Sequence, residues 1–100
     1  MFMIIAKLHR VRGNAILAAC DSELFGKCIE GKKGVKLSIK GNFFDGEEVS
    51  EEEFKTMLCQ ATSANLIGKR TVALAIKLGY IDPDCVTKIA GTPHALMFCV

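Results

Sequence analysis

Phe2, Ile4, Ala6 and Leu8 alternate with Met3, Ile5, Lys7 and His9. This is the two-residue period of a strand, with one apolar face and a second face that turns basic along its length. Arg12-Gly13-Asn14 follows as a turn, because Gly and Asn tolerate positive φ. Ala15-Ile16-Leu17-Ala18-Ala19-Cys20 is then apolar without a break, as in a strand buried on both faces. The short link makes the two runs an antiparallel hairpin. Asp21 or Ser22 caps a predicted short helix that puts Leu24, Phe25 and Cys28 on one side. Val35, Leu37 and Ile39 alternate with Lys36, Ser38 and Lys40, which predicts a third strand with lysines on its outer face.

Ser50-Glu51-Glu52-Glu53 is a capping box: the serine oxygen meets the Glu53 amide and the glutamate reaches back. Phe54, Met57, Leu58, Ala61 and Asn65 continue at helical spacing, and Gly68 kinks or ends that helix. A second helical run carries Val72, Ala73, Ala75 and Ile76, with Gly79 as its C′ residue. Asp82-Pro83-Asp84 is a turn, residues 86–90 a strand, Gly91-Thr92-Pro93 another turn and residues 95–100 an apolar final strand. Strands, then helices, then strands predict one α+β domain over residues 1–100. Its expected form is a small, mainly antiparallel sheet of four to five strands, with two to three helices packed on one face.

One hundred residues, half of them hydrophobic, suffice for a single core and argue against disorder. No apolar run reaches the about 20 residues of a membrane span, so no membrane partner is expected. Residues 1–6 are apolar, but Lys7 interrupts them and they lack the basic lead and small-residue cleavage site of a leader. Five cysteines at wide, irregular spacing do not form a disulfide framework, and most read as buried reduced thiols of a cytosolic protein. The net charge of +2 hides a separation. Residues 1–40 hold eight Lys/Arg against three acids, and residues 41–60 hold six acids against Lys55.

That separation yields the first candidate site, a basic sheet face of Lys7, Lys36 and Lys40 extended by Arg10 and Arg12, suited to RNA phosphates. No aromatic falls on the polar face of these strands and the chain lacks tryptophan, so base stacking has little support. A second candidate lies around Asn65 and Arg70, where a helix starting after Gly68 offers free amides to an anion. The third is Gly91-Thr92-Pro93-His94, in which Pro93 stiffens the turn that aims His94. For each, taken alone, the structural role is the favoured reading: a solvated face, a small-residue helix contact and a satisfied histidine. Enzyme signatures are sparse. Neither a P-loop nor a G-x-G-x-x-G is present, and without a C-x-x-C pair no metal or other cofactor is expected. Cys20 could pair with a histidine as a nucleophile.

Asp21-Ser22-Glu23-Leu24-Phe25-Gly26-Lys27 joins two further stretches in a common pattern. One is the segment 50–82 with Ala61-Thr62, Asn65-Leu66, Gly68 and Arg70, and the other is Gly91-Thr92-Pro93-His94-Ala95. Together they resemble a family of small uncharacterised archaeal proteins, domain of unknown function 424. The resemblance spans essentially the whole chain, with the Asn-Leu and Pro-His-Ala stretches its most specific parts. It implies an archaeal cytosolic protein of about this length and carries no established activity. The number of cysteines departs from the family's usual composition, which argues against a shared catalytic role for them.

The expected function is therefore a non-enzymatic accessory module that binds RNA or a ribonucleoprotein through Lys7, Arg10, Arg12, Lys36 and Lys40, with Asn65, Arg70 and His94 as a further polar site. The competing expectation is a protein-interaction module that homo-oligomerises through its C-terminal apolar strand. A third is a small enzyme centred on His94.

Overall fold

In this computed structural model, residues 4–31, 34, 36–39 and 44–98 are described. β1 (Ile4–Val11) and β2 (Asn14–Asp21) form the expected antiparallel hairpin. Its turn residues Arg12 and Gly13 both have positive φ, 50° and 83°. Such a turn twists with the strands it joins. After β2 comes a single 3-10 turn, Ser22–Leu24, in place of the predicted short helix. β3 (Lys27–Glu30) and β4 (Lys36–Ile39) then pair as a separate two-stranded sheet. β5 (Glu47–Val49) leads into α1 (Glu51–Gln60), whose capping box is present. Ser50 Oγ accepts from the Glu53 amide at 3.1 Å and Glu53 Oε1 from the Ser50 amide at 3.0 Å.

α1 ends earlier than the helical spacing of Ala61 and Asn65 suggests. Ala61 is already extended, and Thr62 is drawn to Ala15: its amide donates to Ala15 O at 2.7 Å, while its hydroxyl donates to the same oxygen and accepts from the Ala15 amide. Residues Ser63–Ile67 therefore form β6, parallel to β2 and antiparallel to β8 (Thr92–Phe98). Ser and Asn are weak helix formers, so a slot between two apolar strands outweighs local propensity here. α2 (Lys69–Lys77) follows, with Gly79 beyond its end at φ 87°. β7 (Thr87–Ile89) and β8 form a second tight hairpin through Ala90 and Gly91.

The fold is α+β, as expected, but the main sheet has six strands in the order β5-β1-β2-β6-β8-β7, and β2–β6 at its centre is parallel. The strands of this sheet that the sequence pattern does not announce are β6, whose residues carry helical spacing, and β5, three residues long with two glutamates; β3, four residues long, is the unannounced strand of the separate pair. Ile4, Ala6, Leu17, Ala19, Ala64, Leu66, Ala95 and Met97 point to one face, where Phe54 and Leu58 of α1 and Val72 and Ala75 of α2 complete the core. Burying each of the larger side chains contributes about 1.5–3 kcal/mol.

The intervening residues form the second face, and the registers align them in rows. One row is Ile5, Cys20, Ile67, His94 and Thr87; the next is Lys7, Ala18, Asn65 and Leu96; the third is His9, Ile16, Ser63 and Phe98. A smaller apolar cluster of Ile39 and Phe44 covers the first row at Cys20 and Ile67 and reaches Ala18. Beyond it the second face is open: Leu96 is 50 % exposed and Phe98 72 %. Cys20 is buried as expected, whereas Cys28, Cys59 and Cys85 are exposed, contrary to the reading of most thiols as core residues.

Candidate functional site

The start of α2 was one candidate anion site. Its amides already have an anion, supplied by the chain itself. Asp21, the last residue of β2, is buried. Its Oδ1 accepts from the Thr71 amide at 2.9 Å and the Thr71 hydroxyl at 2.8 Å, and its Oδ2 accepts from the Arg70 amide at 3.2 Å. A carboxylate at a helix N-terminus is favoured by both free donors and the helix dipole. The Arg70 guanidinium lies 3.9 Å from Asp21 Oδ2 and donates to Glu23. That bond holds the Glu23 carboxyl below the ordinary carboxylate range. Arg70 thus serves the β2–α2 junction on the helix side of the sheet.

Asn65 and His94 do meet, on the opposite face. His94 Nε2 lies 2.9 Å from Asn65 Oδ1 across the β6–β8 pairing. Burial holds the imidazole below its ordinary pKa, so the neutral ring is favoured, with Nε2–H donating to the amide oxygen. Cys20 shares a row with His94 but is two strands away, roughly 10 Å at the usual strand spacing. Its thiol is pushed up to about 11, first by burial and then by Asp21 and Glu23. A Cys20–His94 nucleophile pair is therefore not formed.

The predicted cations are dispersed. Lys7 stands on the second face, in the row of Asn65 and Leu96. Arg10 belongs to the helix side and donates to Gln60 Oε1 at 3.5 Å. Arg12 sits in the first hairpin turn. Lys36 lies on the separate two-stranded sheet, 3.9 Å from Glu30 with both side chains exposed. Lys40 lies outside the described residues.

What the strand pattern missed is an aromatic on the open face. Phe98 stands there, because Ala95 and Met97 take the core side of β8 and the alternation turns Leu96 and Phe98 outward. The signal was in the apolar tail, hidden because both faces of that strand carry apolar residues. Phe98 lines a surface depression of about 430 Å³ together with Val11, Arg12, Asn14, Ile16, Thr62 and Ser63. The depression thus combines an exposed aromatic face, a guanidinium, a carboxamide and a hydroxyl. Arg12, Asn14 and Ser63 have no side-chain hydrogen bond within the described residues. Thr62 is already committed to Ala15. Among the described residues no group of three or more His, Cys, Asp or Glu is placed to hold a metal, and no helix is long and apolar enough to cross a membrane.

No curated protein matches the chain. Among solved structures, an uncharacterized conserved protein from Methanopyrus kandleri has a similar fold, with a TM-score of 0.79 at 22 % identity over 94 % of this chain and 89 % of that one. The family described as protein of unknown function (DUF424) matches residues 9–100, which include both tight hairpin turns, the Asp21–Gly68 junction and the open face apart from Lys7. The chain belongs to that family.

Proposed function

We propose that the protein is a non-enzymatic RNA- or ribonucleoprotein-binding accessory module, and that single-stranded RNA lies on the open sheet face with one base against Phe98. The observation that carries this reading is that Phe98 and Arg12 line one depression. An exposed ring offers a stacking surface worth about 1–3 kcal/mol per base, and a neighbouring guanidinium can take the adjoining phosphate. Asn14 and Ser63 supply donors and acceptors for a base edge or a 2′-hydroxyl. Lys7 and His9 extend the same face across roughly 14 Å from β8 to β1. Compared with the basic face expected from the sequence, this surface relies less on charge and more on stacking. The reading places the protein in the cytosol.

The test is fluorescence anisotropy with a labelled single-stranded RNA of about eight nucleotides, titrated over a range of salt. Phe98→Ala is expected to weaken binding roughly tenfold without changing the salt slope. Lys7→Ala combined with Arg12→Ala is expected to reduce that slope by about 1–2. Absence of binding at low salt, or binding unaffected by both changes, overturns the proposal. The enzyme reading centred on His94 has less in its favour, since its described partner Asn65 neither titrates nor attacks.

A further inference from the structure

β8 is seven residues long, but β7 pairs with only its first three, Thr92 to His94. The two-residue turn makes Ile89 and Thr92 a hydrogen-bonded pair, so Thr87 and His94 are one as well. By the same alternation, the backbone groups of Leu96 and Phe98 face the outer edge, past the end of β7. Those of Pro93, Ala95 and Met97 face β6, consistent with Pro93 O accepting from the Gly68 amide at 2.9 Å. Leu96 and Phe98 thus combine outward backbone groups, unpaired by any described strand, with exposed apolar side chains.

Natural sheets blunt such an edge with charge, proline or a covering segment. At the other side of the sheet, β5 pairs with Ile4 to Ala6 of β1, and the stretch left over carries Lys7 and Arg10. The free stretch of β8, Ala95-Leu96-Met97-Phe98, has no charge and no proline. We propose that this edge pairs antiparallel with the same edge of a second copy of the chain, Leu96 opposite Phe98 of the partner subunit about a twofold axis at Met97.

The occupant follows from the edge itself. It requires a strand, to satisfy the backbone of two alternate residues, and that strand must be apolar where Leu96 and Phe98 lie. The chain's own 95–98 segment meets both conditions, and a twofold axis brings no like charges together because the segment has none. This register gives two hydrogen-bonded pairs and sets each Leu96 against Phe98 of the partner subunit, a cross-strand contact between apolar side chains. It also joins the two open faces: the row His9, Ile16, Ser63, Phe98 continues into the partner's Leu96 and the partner's Asn65. Four residues of edge cover far less than the about 1,000 Å² of a standing interface, so the dimer is concentration-dependent.

Sedimentation velocity over a dilution series of the full chain tests this, with amide hydrogen exchange at both ends of the series. A monomer–dimer equilibrium is expected, with the Leu96 and Phe98 amides exchanging roughly tenfold more slowly in the concentrated sample. Leu96→Lys, at a half-exposed position, is expected to leave the fold intact and the chain monomeric, and Phe98→Lys to do the same. A wild-type chain that stays monomeric up to about 1 mM overturns the proposal and leaves the edge to a strand from another protein. A dimer that persists in both lysine variants, or exchange at Leu96 and Phe98 indifferent to concentration, also overturns it. Lys7 and Arg12 lie off this edge, so their RNA-binding phenotype and the dimer can fail separately.

Discussion

The Asp21 carboxylate occupies the space that a side chain on Gly68 would need. A Cβ at Gly68 would lie 2.4 Å from Asp21 Cγ, and Gly68 has φ 110°, where L side chains are strained. The glycine and the aspartate form one device: the first admits the second, and the second caps α2. Gly68→Ala is expected to cost about 2–4 kcal/mol through clash and backbone strain together. Asp21→Ala, which leaves the Arg70 and Thr71 amides without their acceptor, is expected to cost about 2–4 kcal/mol. Urea denaturation measures both, and the double variant should cost less than the sum because the two act on the same contact.

Ser50→Ala removes the serine half of the capping box at α1. The expected loss is about 1 kcal/mol, read as a lower urea midpoint with an unchanged slope.

Stability should fall on mild acidification because of His94. Its folded pKa lies below its unfolded value, so the unfolded chain binds more protons in the interval between them. The contribution is fully present above the ordinary imidazole pKa of about 6.5 and is lost as pH drops below it toward the folded value. Denaturation midpoints measured on either side of that interval should differ less in His94→Gln than in the parent. The Glu23–Arg70 pair acts in a separate window. Glu23 has a lowered pKa, so its contribution disappears only as pH falls below the ordinary carboxyl value of 4.5.

Thiol reactivity should divide the cysteines. Cys20 is buried with its thiol pushed up to about 11, whereas Cys28, Cys59 and Cys85 are exposed. Brief alkylation at about pH 8, followed by peptide mass spectrometry, should label the three exposed thiols and spare Cys20 until denaturant is added.

Phe98→Ala should leave stability within about 0.5 kcal/mol of the parent, because a side chain 72 % exposed gives up little apolar burial. Leu66→Ala, fully buried in β6, should cost about 2–5 kcal/mol in the same denaturation assay. The contrast separates a surface residue available for binding from one that holds the fold.

Elements governed by neighbouring residues were legible along the chain. Period-2 runs marked β1 and β4, the unbroken apolar run marked β2, Ser50 with Glu53 marked the start of α1, and Gly79 marked the end of α2. These features depend on side-chain alternation, local hydrogen bonds and backbone freedom, all present within a few residues. The tertiary structure decided what depends on distant partners. Residues 63–67 have helical spacing but become a strand because Ala15 captures Thr62 and β2 and β8 accept them on either side. Asp21 reads as the cap of its own next turn, yet caps a helix 48 residues onward, since only the β2–β6 pairing brings Gly68 beside it. Phe98 is one more apolar residue in an apolar tail until the pleat assigns Met97 to the core and Phe98 to solvent. A sequence carries its periodicities openly, but which face of a pleat is covered is set by the packing of the whole sheet.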